Sequence, residues 1–243
     1  MNSQDYFNDE LLEKRVDKFY GYGNYQGNYW FIGMEEAGGD FKETNNRINV
    51  WSSRGELELE DLVEYHIAIG AGSLFQQGAA IQPTWNKLIR IILSASRIEN
   101  INAEDVRNYQ IYELGRENKE TCLLELLPLP SLSLKHWIYS KHSKIPCLSN
   151  RNDYENYCVD KRINYISSKI KEYQPFSVVF YGIGYEYSWI KIADVEFFPT
   201  SEGFFIGRNS HTIFIIAKHP TSFGVTNEYF HNIGKLIAAK LLE

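Results

Sequence analysis

The chain has 243 residues, a formal net charge of −6 and an aromatic content of 15%, with 17 Tyr and 14 Phe. That length carries one large α/β domain with a substantial core, while the acidic balance argues against a broad nonspecific attraction to nucleic acid. No apolar run reaches the ~18 residues of a membrane span, the polar start MNSQDYFNDELLEK does not read as a signal peptide, and Cys122, Cys147 and Cys158 lack metal spacing. The expectation is a cytoplasmic protein with reduced thiols, no membrane contact, no metal and no cofactor.

Residues 1–28 mix charge with the segment GYGNYQGNY, whose glycines and asparagines favour loop over helix; they read as an extension packed on the core of one domain spanning residues 1–243. Residues 29–39, YWFIGMEEAGG, form an apolar run that stops at glycines and two carboxylates, so a buried strand delivers Glu35 and Glu36 to its carboxyl end. Residues 40–54 show no clear period and read as a long loop. Leu59, Leu62, Val63 and Ile67 place a helix over residues 56–70, with His66 on its side or surface. Thr84 is placed to cap a second helix running to residue 97, and residues 103–115 form a third that ends at its glycine.

Residues 121–127, TCLLELL, form a second buried strand with Glu125 inside it, stopped by Pro128 and Pro130. A basic and aromatic loop follows, in which Lys135, His136, Lys141, His142 and Lys144 cluster; they can contact phosphate or simply be solvated. A helix over residues 153–173 leads to the third strand, FSVVFYGIG, then to a short helix around Trp189 and an antiparallel excursion around residues 195–206. The last strand, TIFIIA at residues 212–217, runs into Lys218-His219-Pro220-Thr221-Ser222, and a final helix covers residues 227–242. Four buried strands interleaved with helices predict a three-layer α/β/α fold around a central, mostly parallel, four-stranded sheet.

GMEEAGG after the first strand and HPTS after the last, on this framework, resemble the uracil-DNA glycosylase superfamily, whose members carry GQDPYH, GEAPG or GINPG after the first strand and an HPS-type motif after the last. FSVVFYGIG is similar to that family's third strand, and GAAIQPTWNKLIRIIL to its glycine, apolar residue and helix leading away from the pocket; the likeness runs from residue 29 to the end. It implies that Glu35 orients water and stabilises a cationic sugar, that His219 hydrogen-bonds the departing base, and that Pro220 and Ser222 hold the His219 loop. Gly33, Met34, Glu36 and Gly38 would line the pocket, with the backbone N–H groups of residues 33–39 facing it. Glu36 stands where the family has proline, Thr221 where it has serine, and Glu125 where uracil-specific members have the asparagine that reads the base edge. An ionised Glu125 offers acceptors only, which suits the exocyclic amine of cytosine or adenine or the amidine edge of guanine and makes uracil a poor substrate.

The same residues have plainer readings. Glu35 and Glu36 can cap the next helix as solvated loop residues, His219 can be a structural strand-end histidine, and Glu125 can pair with an Arg or Lys instead of a ligand. Trp85, Phe75 and Trp51 are candidates to stack on a base, or core residues. The function expected is a DNA glycosylase-like hydrolase that cleaves the N-glycosidic bond of a modified or deaminated base, taken from DNA, including single strands, or from a free nucleotide. The alternative is a catalytically silent protein of the same fold that binds a nucleobase, nucleotide, nucleic acid or protein partner.

Overall fold

The computed structural model describes residues 6–133 and 135–240. In chain order it contains α1 (Asp9–Lys18), β1 (Gly21–Gly23), β2 (Tyr29–Ala37), α2 (Phe41–Ser53), β3 (Leu59–Glu60), α3 (Leu62–Ala68), α4 (Pro83–Ala95), α5 (Ala103–Tyr112) and β4 (Thr121–Ser131). Then come α6 (Tyr139–His142), α7 (Arg151–Tyr173), β5 (Ser177–Tyr181), α8 (Glu186–Ala193), β6 (Phe198–Pro199), β7 (Phe205–Arg208), β8 (Ile213–Ala217) and α9 (Asn227–Lys240). The strands form one mixed sheet in the order β3-β1-β4-β2-β5-β8-β7-β6.

The expected α/β class holds, but the sheet has eight strands where four were expected. The four expected strands are its parallel centre: β2 pairs in parallel with β4 and β5, and β5 with β8. Antiparallel β1 and β7 border this centre, and β3 and β6 lie outside them. β1 and the edge strands β3 and β6 are two or three residues long; β6 and β7 pair within the antiparallel excursion expected around residues 195–206, while β1 and β3 are too short to leave a period in the sequence.

Both faces of the parallel centre are covered, which explains its continuous apolar strands. Tyr29, Phe31, Val179, Tyr181, Ile213 and Ile215 share one core with α4 and α9, while Trp30, Ile32, Val178, Phe180, Phe214 and Ile216 share the other with α7 and α8. On the first face α9 lies close against α4 at Gly234, where a Cβ would stand 2.3 Å from the Ile91 carbonyl oxygen.

Four local expectations change. Residues 40–54 form helix α2: the Asp40 side chain accepts from the Glu43 N–H at 2.9 Å, and Thr44, Ile48 and Trp51 turn inward. Residues 1–28 contribute α1, capped by Asn8, and β1. The helix expected over residues 56–70 starts at Leu62, because Asp61 accepts from the N–H groups of Val63 and Glu64. Gln82, not Thr84, caps α4, with Pro83 at its first position.

Candidate functional site at the carboxyl ends of the parallel strands

The chain passes from β2 to β4 on one side and places β5 on the other, so the connections diverge at β2 and β5. In open α/β sheets the crevice at such a divergence, outside the carboxyl ends, is where ligands sit. Gly33, Glu125 and Tyr181 meet there. Gly33 and Glu125 are register partners, and Tyr181 follows Phe180, the partner of Ile32. Because Gly33 has no side chain, the Tyr181 ring crosses above it, and a Cβ on Gly33 would stand 2.3 Å from the phenol oxygen. Tyr181 thus donates its hydroxyl to Glu125 Oε1 at 3.0 Å.

Glu125 as a whole is half-buried, but its Oε2 has no solvent contact and no hydrogen-bond partner. The nearest cation is committed elsewhere, since Arg162 Nη2 donates to the Glu125 backbone carbonyl at 2.8 Å. Burial, then the neighbouring Glu36 carboxylate, push the Glu125 carboxyl well above its ordinary range. An ionised Glu125, an acceptor only, was expected from the sequence; the upward shift favours the protonated form, which carries a donor as well. Burial and Glu125 likewise raise Tyr181, so its phenol also stays neutral.

Consecutive strand residues point to opposite sides, and Glu35 and Glu36 obey that rule. Glu35 accepts from Arg151 Nη2 at 2.8 Å, and Arg151 Nε donates to Glu155 Oε1 at 2.7 Å. Burial raises the Glu35 pKa, and Arg151 opposes the shift. Glu36 accepts from the Tyr22 hydroxyl and lies 3.5 Å from Arg47 Nη1. Both glutamate side chains are mostly enclosed, at 12% and 14% exposure, so neither is a solvated loop residue.

His219 follows β8, with its ring centroid 5.8 Å from that of Tyr181. Its Nδ1 accepts the Thr221 N–H at 3.3 Å and lies 3.0 Å from Thr221 Oγ1, which assigns the ring proton to Nε2. Burial lowers the His219 pKa, so the imidazole is neutral at physiological pH. Pro220 is buried, and the Ser222 N–H donates to the His219 carbonyl at 2.9 Å, closing the loop.

The other expected residues spread outward from this centre. Half-buried Trp85 joins Phe75 and His66 in an aromatic cluster that continues to Tyr22 and so to Glu36. His66 is buried and hydrogen-bonds the Leu62 carbonyl at 2.7 Å, where a side or surface position was expected. Trp51 is fully buried, its indole N–H donating to Leu57. Met34 packs between two apolar clusters. The Gly38 N–H donates to Ser131 and the Gly39 N–H to Glu43 Oε2, so these two donors are taken within the protein.

Tyr22, Arg47, Arg151 and Tyr181 complete the site and were not anticipated. Two cavities, one of about 330 Å³ beside Tyr25, Glu58 and Tyr173 and one of about 240 Å³ beside Val16, Ile145 and Tyr157, lie apart from it. Among the described residues no cluster of His, Cys, Asp and Glu has an arrangement that could hold a metal ion, and no helix is long and apolar enough to cross a membrane. No protein-family model matches the chain, and no curated protein matches it.

Proposed function

We propose that this chain is a uracil-DNA-glycosylase-like hydrolase that cleaves the N-glycosidic bond between a nucleobase and its sugar. The observation that carries the reading is Tyr181, which crosses Gly33 to bind Glu125 and lies against His219, so that residues from β2, β4, β5 and the loop after β8 converge at the crevice where ligands of such sheets sit. In this reading Glu35 orients the water and faces the cationic sugar, and His219, neutral with its proton on Nε2, donates to the leaving base. Half-buried Trp85 is the aromatic this reading assigns to stack on the base.

Nucleic acid as the partner is supported by three features. Arg151 Nη1 is buried without a hydrogen-bond partner beside Glu35, the exposed Lys135, Lys141 and Lys144 lie on the chain leading to it, and Phe223, three residues beyond Pro220, is fully exposed. An exposed aromatic on the loop that carries His219 suits a wedge that replaces an extruded base in the stack. The test is free-base release from single- and double-stranded oligonucleotides and free nucleosides carrying deaminated, alkylated and normal bases. Release that is lost in Glu35→Ala is expected; release unchanged in Glu35→Ala removes the mechanism.

A second reading, a base- or nucleotide-binding protein without turnover, is favoured by the ion pair that holds Glu35 against Arg151. It predicts saturable binding of an oligonucleotide or nucleotide with no base released.

A further inference from the structure

We propose that Glu125 is the general acid of this site and that the site is therefore matched to purines, bases that depart as neutral, protonated species, rather than to bases that depart as anions. The inference rests on the glycosidic-hydrolase reading above and assigns a role that reading does not contain.

Tyr181 of β5 donates to Glu125 Oε1. Glu35 and Glu36 of β2 are the carboxylates whose charge acts on it, and Arg162 of α7 acts from the backbone side, where it is bound to the Glu125 carbonyl. His219 is reached only through Tyr181 and is neutral. A carboxyl group out of water, with no cation on either oxygen and two carboxylates nearby, keeps its proton. Since Oε1 already accepts from Tyr181, the proton belongs on Oε2, the oxygen without a partner. Glu125 thus takes the role of acid, and Glu35, whose upward shift from burial is opposed by the hydrogen bond from Arg151, that of base. Two carboxyl groups distinguished by their partners are the arrangement that glycosidic hydrolysis uses.

The bond between C1′ and the base nitrogen breaks, and its electron pair moves to the base. Glu125 Oε2 transfers its proton to a purine ring nitrogen, so that the base leaves neutral. Water adds to C1′ and gives a proton to the Glu35 carboxylate; Glu35 then loses it to solvent and Glu125 regains one. The sum is nucleoside plus water to free base plus sugar. Uracil can leave as a delocalised anion stabilised by the His219 N–H and gains little from such an acid, whereas a purine anion is a poor leaving group.

The experiment compares wild type, Glu125→Gln and Glu35→Gln on two substrates with the same sugar: a purine nucleoside unit and a 4-nitrophenyl glycoside, whose phenolate departs without a proton. Glu125→Gln should lower purine release about 10²- to 10⁴-fold and nitrophenolate release far less, while Glu35→Gln lowers both. Equal loss on both substrates, or no loss of purine release, overturns the assignment while leaving hydrolysis intact. If wild type releases no base from any substrate, the hydrolase reading falls and the acid with it. A readout independent of turnover is the infrared difference between wild type and Glu125→Gln near neutral pH: a protonated carboxyl band is expected, and a carboxylate band in its place overturns the proposal.

Discussion

Gly33 decides where Tyr181 goes, and Tyr181 decides whether Glu125 is held. The glycine permits the phenol to lie across β2, where any Cβ would overlap it. Gly33→Ala should therefore displace Tyr181 and cost about 1–3 kcal/mol as an overpacking substitution, read as a lower urea midpoint; an unchanged midpoint contradicts the crossing. Glu125 makes a second prediction, with a definite sign. Its pKa is raised in the folded state above the ordinary value of 4.5, so the native protein binds this proton more tightly than the unfolded chain does. The resulting stabilisation is complete below about pH 4.5 and is lost as pH rises through the folded pKa. Glu125→Gln removes that dependence, so the stability of wild type relative to the variant should fall with rising pH; denaturant titrations across the range measure it, and a flat difference contradicts a retained proton. Glu125 was legible as an oddity, a carboxylate in an apolar run, and His219 was legible from the strand end before it. Tyr181 was not, because FSVVFY reads as core and only the register of three parallel strands sets its last residue beside Gly33 and Glu125.

At the scale of elements, the parallel centre was readable because each strand carries an apolar run, although β4 continues to Ser131 through Pro128 and Pro130, which were expected to stop it. The helices followed from their period, except α1, α2 and the four-residue α6, which lies in the stretch read as a loop. The inward residues of α2, Thr44, Ile48 and Trp51, are spaced by four and three, but the polar run TNNRIN between and around them hides the stripe. Its start depends on Asp40, whose carboxylate satisfies the Glu43 N–H. Asp40→Ala should lower stability by about 1 kcal/mol and, because Arg47 on this helix lies beside Glu36, should also weaken ligand binding; thermal melting together with ligand titration checks both, and wild-type values in both contradict the role given to the cap. The antiparallel pair β6 and β7 was legible as an excursion around residues 195–206, but β1 and β3 were not. Two or three residues take strand geometry only when a partner offers its backbone, as β4 does for β1 and β1 for β3.

Across the whole molecule, an acidic protein of net charge −6 gains little from general attraction to a phosphate backbone, so contacts must be local. In the proposed reading, the exposed lysines at 135, 141 and 144, Arg151 and the exposed Phe223 are the groups that would supply such contacts. Phe223→Ala should reduce base release from a duplex while sparing release from a single strand, since only the duplex has a stack to be filled; equal rates on both substrates, before and after substitution, contradict the wedge. The proposed reaction is hydrolysis of the bond between base and sugar by Glu35, Glu125 and His219. The most direct measurement is mass spectrometry of the products formed from a single-stranded oligonucleotide panel in ¹⁸O-labelled water. Free base and a sugar carrying one ¹⁸O at C1′, both absent with Glu35→Ala, are the predicted result, and oligonucleotides recovered intact from wild type across the panel would contradict it.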